Sequence, residues 1–512
     1  MPPRRKRTRS ADVATAEVSG GRAGADDRGI RLTAWLQERG CDLDGLEIRP
    51  DADGGLGVFA TKTLPAMSAI GVLPRAVVLD PRDALSSPIA QRALALGASP
   101  PFALWLSLAK GLRDSTDPFH GYLSTLPEAP DPCAWSCEER GLLEGTPLSK
   151  QVISQRSLLR AEFDRVVPSI AKQISLEIAF DDLIWARGVH QSRCFPLELA
   201  EALSAGRGVT ISNGGKQPPV LEWAPSAHKG GGRRGAGDRG GEGKACGAKE
   251  SAALGDSTGC STATPGTIAG TLGCMLPLLD MLQHEPGKRI TWDASEGAMS
   301  FRYPTAVTSG AQLYNNYGPK DSGSMLLTYG FALEQNEMDK VEGLYLGCRG
   351  GGSGGGDGAA LKAARLEALC EFEIEHRVRE DGSLLIGPLS LGGEVDEDDE
   401  ENGVLSTPLL QALGVIGMDD GDEAPQISLN ELDLLGGTLE GRLADLAPSE
   451  EADLATLGSV PQSLTARRAR YVAAYRGGQR RVLRAAIAQA LAMAEGAGEE
   501  EVCAEEAELS VT

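Results

Sequence analysis

The spacing of apolar residues along the chain changes from strand-like to helical. Residues 46–78 hold short apolar runs separated by glycines, a pattern that is typical of strands and hairpins. Over residues 81–200 the spacing becomes helical, as shown by Leu104, Leu108 and Leu112, which recur at every fourth position. Short apolar runs and then helical spacing return in the C-terminal half. The pattern therefore predicts a mixed fold of helices and strands.

Glycine-rich and acidic stretches interrupt this pattern. Lys229–Lys244 is mostly glycine and arginine, Gly350–Gly358 is mostly glycine, and Glu394–Glu401 and Glu495–Glu508 are rich in acidic residues. Such compositions favour flexible, solvated linkers and tails, although a short RNA-binding segment is an alternative for Lys229–Lys244. These breaks suggest a disordered basic leader over 1–28 and a body over 29–345, with helices over 81–200 and a flexible glycine-rich insert over 204–266. They also suggest a linker over 346–402 with low-complexity segments around a short helix, a helical domain over 403–498 and an acidic tail over 499–512.

Composition narrows the classes of function. The net charge of −22 argues against non-specific binding to nucleic acid, which needs a basic face. The ten cysteines are scattered, and Cys133 and Cys137 have no second pair of ligands nearby, so we expect no metal site. No run of 18 apolar residues is present, so we expect no membrane segment. We also expect the protein to be a monomer.

A basic cluster at residues 4–9 bears on the compartment. It is compact enough to act as a nuclear localisation signal, and a solvated basic tail without a role is the alternative. A plastid transit peptide is a third option, but Asp12 and Glu17 follow early, and such peptides are poor in acids. The sequence therefore predicts the nucleus or the cytoplasm, with the chloroplast as a further option.

The candidate chemistry is concentrated between Leu276 and Asp339. Asp280 and His284 lie four residues apart, and two tyrosine-glycine pairs, at positions 317–318 and 329–330, follow them. A tyrosine hydroxyl donates and accepts hydrogen bonds and stays neutral at pH 7, which suits it to orienting an amine. A glycine after each tyrosine lets the backbone turn sharply. The segment therefore predicts a site that positions an amine.

The order of these motifs resembles the C-terminal half of a SET methyltransferase domain, in the branch that includes Rubisco large-subunit lysine methyltransferase. Further blocks are similar to other motifs of the same family and follow its order. They are Gly54–Ala60, Phe119–Pro127 followed by Trp135, Trp185–Phe195 and Tyr475–Leu483. The resemblance thus covers most of residues 30–345, with one further block beyond residue 470.

The resemblance implies both a fold and an activity. The fold would be α+β, with a β-rich SET domain split by a helical insertion and followed by an all-helical C-terminal substrate-binding domain. The activity would be protein-lysine N-methylation with S-adenosylmethionine as the cofactor and a protein carrying a target lysine as the partner. Such a reaction needs a neutral amine, which burial in an apolar channel favours, and close alignment of the amine with the methyl group.

The resemblance also assigns roles to individual residues. Tyr317 is the expected catalytic residue, with its hydroxyl near the transferring methyl, and Tyr329 is expected to wall the lysine channel. Arg193 and Asp280 are expected to contact the substrate or shape its channel, although a purely structural salt bridge is the alternative. The expected cofactor-binding residues are Gly54, Gly55, Leu56, Gln283 and His284.

Two positions depart from the family pattern. Gln283 stands where the family has an asparagine, and Ser324 replaces a second asparagine. Glutamine carries the same amide on one more methylene, so we expect asparagine at position 283 to bind the cofactor more tightly. Two alternatives to lysine methylation therefore stay open: a catalytically weak SET-fold binding protein, and a protein-histidine N-methyltransferase.

Overall fold

The computed structural model describes eight stretches of the chain. The basic cluster at 4–9, Lys229–Lys244 and Glu394–Glu401 lie outside them, so the roles expected for those segments stay predictions. The described residues are 20–52, 54–171, 177–212, 272–295, 297–348, 357–393, 403–419 and 424–509.

The strands are short and follow the apolar runs of the sequence. They are β1 (Leu46–Pro50), β2 (Leu56–Ala60), β3 (Ile70–Pro74), β4 (Cys194–Phe195), β5 (Val209–Ser212), β6 (Cys274–Met275), β7 (Gln283–His284), β8 (Thr291–Ser295), β9 (Ala298–Arg302), β10 (Gln312–Asn315), β11 (Lys340–Cys348), β12 (His376–Val378) and β13 (Leu384–Gly392). Within the described ranges they form sheets ordered β1-β2-β10-β7, β3-β9-β8-β5, β11-β13-β12 and β4-β6. All five residues of β2 are buried, which places this strand at the centre of the SET-like body.

The helices fall into an N-terminal helix, a central group and a C-terminal group. They are α1 (Gly20–Glu38), α2 (Pro81–Leu85), α3 (Pro88–Ala95), α4 (Pro100–Arg113), α5 (His120–Leu123), α6 (Cys137–Gly141), α7 (Pro147–Ala171), α8 (Phe180–Arg193), α9 (Leu197–Ala205), α10 (Ser322–Tyr329), α11 (Asp357–Glu371), α12 (Thr407–Gly417), α13 (Leu429–Ala444), α14 (Glu450–Leu457) and α15 (Leu464–Leu509). Helices α2 to α8 lie in the range 81–200, for which apolar spacing predicts helices. Helix α9 ends at Ala205, and β5, which pairs with β8, lies inside the expected flexible insert over 204–266.

Local sequence explains where several of these helices begin. Each of α2, α3 and α4 starts with a proline that follows Asp80, Ser87 or Ser99. Proline suits the first helical position because its missing N–H has no partner there, and aspartate or serine is favoured just before it. Helix α4 then packs on α8, where Trp105 Nε1 donates to His190 Nδ1 at 3.4 Å. The central helices therefore share a core with the strands.

Two hydrophobic cores organise the molecule, and α15 takes part in both. The first joins α1, the SET-like strands and the central helices. The second joins the β11-β13-β12 sheet to α11, α12 and α13. Helix α15 contributes Val472 and Tyr475 to the first core and Leu483 and Ala486 to the second. The C-terminal helix therefore ties the two parts together.

The structure corrects three boundaries drawn from composition. Helix α1 begins at Gly20, inside the expected leader, and α15 continues to Leu509, inside the expected tail. The expected linker over 346–402 also contains β13, which pairs with β11 and buries its apolar positions in the second core. Glutamate is a good helix former, which explains why an acidic stretch can continue a helix. The described elements within 403–498 are helices.

The sequence predicts neither a membrane segment nor a metal site. No helix in the described ranges has both the length and the apolar character needed to cross a bilayer. In the same ranges, no three histidine, cysteine, aspartate or glutamate side chains are grouped in a way that could hold a metal ion. That the chain binds no metal stays a prediction.

Candidate active site

One sheet brings the predicted cofactor-binding segments together. Strand β10 pairs antiparallel with β2, where Leu313 is the register partner of Val58. It also pairs in parallel with β7, where Asn315 is the partner of His284. In this register the start of β2 lies beside the ends of β10 and β7. The Gly54–Leu56 turn and the Gln283–His284 pair, more than two hundred residues apart in sequence, therefore meet.

Gln283 joins these two segments directly. Its side-chain Nε2 donates a hydrogen bond to the backbone oxygen of Leu56 at 2.7 Å. Asparagine is one methylene shorter, so it would lose this bond unless the backbone moved. The extra length of glutamine is thus used within the protein, and this observation changes the expectation that asparagine binds the cofactor more tightly.

The turn before β2 is held by Asp51. Gly55 N donates to Asp51 Oδ1 at 2.8 Å, and Gly54 N donates to the Asp51 backbone oxygen at 3.2 Å. Gly54 has a φ of +77°, which favours glycine. The turn therefore has a defined shape, but the amides of both glycines already have partners within it.

His284 fixes the position of Tyr317. Its Nδ1 accepts a hydrogen bond from the Tyr317 backbone N–H at 3.0 Å, and the two rings stack with centroids 5.1 Å apart. Burial lowers the pKa of His284 to about 4, so the ring is neutral at pH 7 and carries its proton on Nε2. The resemblance assigned this histidine to cofactor binding. The structure adds a positioning role for its side chain.

Tyr317 and Tyr329 lie together in a cluster of rings, which we call the Tyr317 cluster: Tyr317, Tyr329, Phe331 and His284. The rings of Tyr317 and Tyr329 are 4.6 Å apart, and Phe331 lies 6.3 Å from Tyr317. The Tyr317 hydroxyl donates to the backbone oxygen of Leu282 at 3.0 Å. Burial raises the pKa of Tyr317 to about 12, so the phenol keeps its proton at neutral pH. The site thus offers neutral oxygens in an aromatic setting.

The glycines after the two tyrosines make this arrangement possible. Gly318 and Gly330 have φ values of +82° and +76°. A Cβ atom on Gly330 would lie 2.2 Å from the backbone oxygen of Pro130, which no side chain tolerates. The Tyr329-Gly330 pair is therefore required by the close approach of another chain segment as well as by the turn itself.

Arg193 and Asp280 meet as expected, within a buried network that includes Tyr122. Arg193 Nη1 donates to the Asp280 backbone oxygen at 2.7 Å and lies 3.3 Å from its Oδ2. The Tyr122 hydroxyl donates to the same Oδ2 at 2.6 Å. Burial raises the pKa of Asp280, although both partners oppose this shift. Arg193 Nε and Asp280 Oδ1 have no hydrogen-bond partner among the described residues. The pair therefore has one free donor and one free acceptor with which it could hydrogen-bond a ligand.

Ser324, the second departure from the family pattern, lies away from the Tyr317 cluster. Its backbone N–H and its hydroxyl both donate to Asp321, the residue that caps α10. Ser324 also lines a 220 Å³ cavity between α10, the central helices and α15. None of the residues predicted to be catalytic or to bind cofactor lines this cavity. Ser324 therefore serves the start of a helix, and the cavity is separate from the candidate active site.

Sequence reasoning missed several residues beside the site. Phe331 directly follows Tyr329-Gly330 and Tyr122 lies in a recognised block, so local signals existed for both. Arg28 and Tyr471 carried none: Arg28 fell in the expected leader, and Tyr471 comes from α15. Burial and the neighbouring Arg193 lower the pKa of Arg28, which shows that the two guanidinium groups lie close together.

These residues fit S-adenosylmethionine in chemical character. Its carboxylate suits guanidinium groups such as that of Arg28, whose pKa responds to the charges of Arg193 and Glu128. Its adenine suits aromatic rings such as Phe331, and its positive sulfonium suits the neutral oxygens of Tyr317 and Leu282. A cofactor of this kind is therefore compatible with the groups that the fold brings together.

Sequence comparisons find relatives over part of the chain. No family model matches. A ribosomal lysine N-methyltransferase of Schizosaccharomyces pombe is 40% identical over 70 residues, which cover 13% of this chain and 13% of that protein. The chloroplastic fructose-bisphosphate aldolase-lysine N-methyltransferase of Arabidopsis thaliana is 27% identical over 168 residues, or 31% of this chain and 34% of that protein. The chain thus matches only 13% to 34% of the length of these relatives.

Solved structures match over nearly the whole chain. Rubisco LSMT bound to AdoMet aligns with a TM-score of 0.60 and 16% identity, covering 92% of this chain and 93% of that one. The SET domain of LSMT bound to lysine and AdoHcy aligns with a TM-score of 0.59 and 16% identity, covering 91% of both chains. The chain therefore has the α+β fold of Rubisco LSMT, and the resemblance indicated by the motifs is confirmed.

Proposed function

We propose that this chain is an S-adenosylmethionine-dependent protein-lysine N-methyltransferase. The strongest support is the position of the Tyr317 hydroxyl. It donates a hydrogen bond to the backbone oxygen of Leu282, the residue just before the Gln283–His284 pair, and its ring packs against Tyr329. Partial similarity to proteins named lysine N-methyltransferases adds support. So does the shared fold with a methyltransferase of known structure.

The surroundings of Tyr317 suit a neutral amine. S-adenosylmethionine supplies a methyl group on a positively charged sulfur. A free lysine, with a pKa of about 10.4, is almost entirely protonated at pH 7, but burial and a nearby positive charge both favour its neutral form. The oxygens of Tyr317 and Leu282 can accept hydrogen bonds from the amine N–H groups. Held in this way, the amine lone pair is free to face the methyl group.

No strong base is needed in this scheme. The pKa of Tyr317 is raised to about 12 by burial, so the phenol orients the amine without ionising. Burial lowers the pKa of His284 to about 4, so its neutral ring keeps Nδ1 as an acceptor for the Tyr317 backbone. The lysine proton leaves to solvent before the amine enters the buried site. Catalysis then depends on position and on the exclusion of water.

We assign the remaining contacts as follows. Gly54, Gly55, Leu56, Gln283 and His284 hold the cofactor. Tyr329 walls the lysine channel, while Arg193 and Asp280 shape that channel close to the substrate. The Arg193 contact with the Asp280 backbone oxygen supports this last assignment, because it fixes the main chain two residues before Leu282.

The partner is a protein that carries a target lysine, and the chain acts as a monomer without nucleic acid. Light scattering after size-exclusion chromatography tests the monomer. We place the protein in the nucleus or the cytoplasm, and a fluorescent fusion tests this. The chloroplast stays an option, since the matched proteins of Arabidopsis thaliana and Nicotiana tabacum are named chloroplastic.

Methyl transfer can be tested directly with tritiated S-adenosylmethionine. Purified protein incubated with a cell lysate should label a protein, and mass spectrometry of the labelled band should place the methyl group on lysine. A methyl group on histidine would favour the protein-histidine alternative. No labelling, together with no cofactor binding by calorimetry, would rule out the proposed activity.

A catalytically weak SET-fold binding protein is the second candidate, because the Gln283 amide is already engaged by Leu56. The two candidates differ in cofactor affinity. An enzyme should melt at a higher temperature with S-adenosylmethionine, since ligand binding to the native state stabilises it. A binding protein that has lost the cofactor site should show no such shift.

A further inference from the structure

The 220 Å³ cavity beside α10 has walls from distant parts of the chain. It is lined by residues of α7 and α8, by α10, by the start of β11 and by Tyr475 of α15. Leu327 and Thr328, the two residues before Tyr329, belong to the α10 wall. A molecule bound in this cavity would therefore contact the helix that ends at the expected wall of the lysine channel.

Side chains that line the cavity have hydrogen-bonding groups to spare. Tyr475, Thr328 and Arg187 are each 3% exposed. The Thr328 hydroxyl and Arg187 Nε have no hydrogen-bond partner among the described residues. The Tyr475 hydroxyl likewise makes no hydrogen bond with any residue that the structure describes. Buried polar groups are normally paired, so these groups indicate a place where a polar ligand completes the hydrogen bonds.

The surroundings of Tyr475 place its hydroxyl on the cavity side. Burial raises the pKa of Tyr475, and the carboxylates of Asp321 and Glu342, which both line the cavity, raise it further. The ring itself packs on α10, because a Cβ atom on Gly323 would lie 3.2 Å from Tyr475 Cε2. The ring is therefore held against the helix, and its hydroxyl lies towards the carboxylates at the cavity.

Each charged side chain at the cavity has an oppositely charged neighbour. Arg187 Nη1 lies 3.0 Å from Asp131 Oδ1. Lys340 Nζ lies 2.5 Å from Glu342 Oε1 and 3.8 Å from Asp321 Oδ2. A charged ligand would find no unpaired opposite charge here, and burying an unpaired charge costs far more free energy than burying a neutral polar group. The cavity therefore favours a neutral ligand.

The size and apolar lining of the cavity narrow the class of ligand further. A cavity of about 150 Å³ holds a benzene molecule, so 220 Å³ admits one ring with a small polar substituent. Leu148, Leu327 and the Tyr475 ring supply apolar surface for such a ring. Glu342 is exposed, so the cavity reaches the surface beside β11 and a ligand can enter from solvent.

We propose that this cavity is a second binding site, for a small neutral molecule with one ring and an amide-like group that donates and accepts hydrogen bonds. The Tyr475 and Thr328 hydroxyls and Arg187 Nε bind the polar group, and the two leucines pack on the ring. The inference does not depend on the proposed function, because none of the residues assigned to catalysis or to the cofactor lines the cavity.

The test uses three probes that share a ring and differ in charge. Benzamide is neutral, benzoate is an anion and benzylammonium is a cation. Ligand-observed NMR titrations of the full chain without cofactor should show that benzamide binds roughly tenfold or more tightly than either charged probe, because the charged groups would be buried without a partner. A crystal soaked with benzamide should hold the molecule between α10 and Tyr475.

Two variants remove one hydroxyl each and keep the ring or the branched shape. Tyr475→Phe and Thr328→Val should each weaken benzamide binding by roughly two- to tenfold, the effect of one neutral hydrogen bond. Neither variant should lower the melting temperature, because neither hydroxyl has a protein partner to lose. Tyr303→Phe is the matched control: Tyr303 is buried away from the cavity and its hydroxyl bonds to Tyr314, so benzamide binding should not change.

Three outcomes would overturn the inference. They are equal binding of the three probes, benzamide binding that Tyr475→Phe and Thr328→Val leave unchanged, and a cavity that holds only water in the presence of benzamide. Each of them leaves the proposed function standing, because that function is tested separately by S-adenosylmethionine binding and methyl transfer.

Discussion

Two buried polar regions of this protein use their hydrogen-bonding groups differently. One is the candidate active site. The other, which we call the Asp453 clamp, is a buried group in which Asp453 accepts hydrogen bonds from Arg476 and Arg480, and all three side chains are at most 5% exposed. The remaining donors of the two arginines reach the backbone oxygens of Leu142 and Pro448, both at 2.7 Å. This region joins α14 and α15 to the central helices.

The candidate site is satisfied less completely. Arg193 Nε and Asp280 Oδ1 have no hydrogen-bond partner among the described residues, and Tyr317 places a neutral hydroxyl among aromatic rings. Buried polar groups are normally paired, so a region that leaves some of them unpaired has capacity for a ligand. The comparison therefore sets a region whose buried charges are paired with one another against a candidate site that keeps two unpaired buried atoms.

The largest effect is expected at the Asp453 clamp. Asp453→Ala would leave two buried guanidinium groups without their carboxylate, and we expect a loss of about 3–5 kcal/mol in the free energy of unfolding. Urea denaturation followed by circular dichroism measures this loss. Glu450→Ala is the matched control, because the Glu450–Arg484 pair between the same two helices is exposed. The control should lose far less stability, because exposed ion pairs are screened by water and contribute little. Similar losses in both variants would show that the clamp is not a structural centre.

Tyr317→Phe tests the other side of the comparison. The ring and its packing stay, but the hydroxyl that contacts Leu282 is lost, so turnover should fall by roughly 10²–10³, as when one preorganised donor is removed. Cofactor affinity and melting temperature should change little. A methyltransferase assay and a melting curve on the same variant provide the measurements.

Tyr303→Phe is the control for this prediction. Tyr303 is a buried tyrosine whose hydroxyl donates to the backbone oxygen of Tyr314 at 2.5 Å. Its loss should lower stability and leave turnover nearly normal. If Tyr317→Phe behaved in the same way, Tyr317 would be a structural residue and the catalytic assignment would be wrong.

Gln283→Asn tests the hydrogen bond that connects the Gln283–His284 pair to the Gly54–Leu56 turn. The shorter side chain loses the 2.7 Å bond to Leu56, so S-adenosylmethionine binding should weaken by about 1 kcal/mol, or roughly fivefold. Calorimetry measures this change. Tighter binding would instead mean that the amide serves the cofactor directly and that the bond to Leu56 is not needed.

The last prediction concerns pH. Burial lowers the pKa of His284 from 6.5 to about 4. Between these pH values the histidine is protonated in the unfolded chain but neutral in the folded protein. The stability associated with His284 is therefore complete above about pH 6.5 and is lost as the pH falls towards 4. His284→Asn, which can keep an acceptor for the Tyr317 N–H, should make the decrease of stability between pH 6.5 and 4 less steep. The difference should be at most about 1.4 kcal/mol per pH unit, and equal slopes would show that His284 does not titrate in this way.

Local sequence was enough to predict the elements of the site that depend on short-range geometry. The tyrosine-glycine pairs predicted sharp turns, and Gly318 and Gly330 have positive φ values. The Gln283–His284 pair and the Gly54–Leu56 turn were recognised from short motifs, and the alternation of strand-like and helical spacing predicted the order of the main elements. These features depend on backbone conformation and side-chain periodicity, which a few neighbouring residues determine.

Tertiary structure decided which distant groups complete the site. Tyr122 reaches Asp280 across 158 positions, and Arg467 lies against Gly54 from the opposite end of the chain. The sequence by itself therefore determined the class of fold and the central tyrosines. The packing of α1, the central helices and α15 decided which charged side chains surround these tyrosines. Such contacts depend on how separate elements dock, which the order of residues within a single element does not determine.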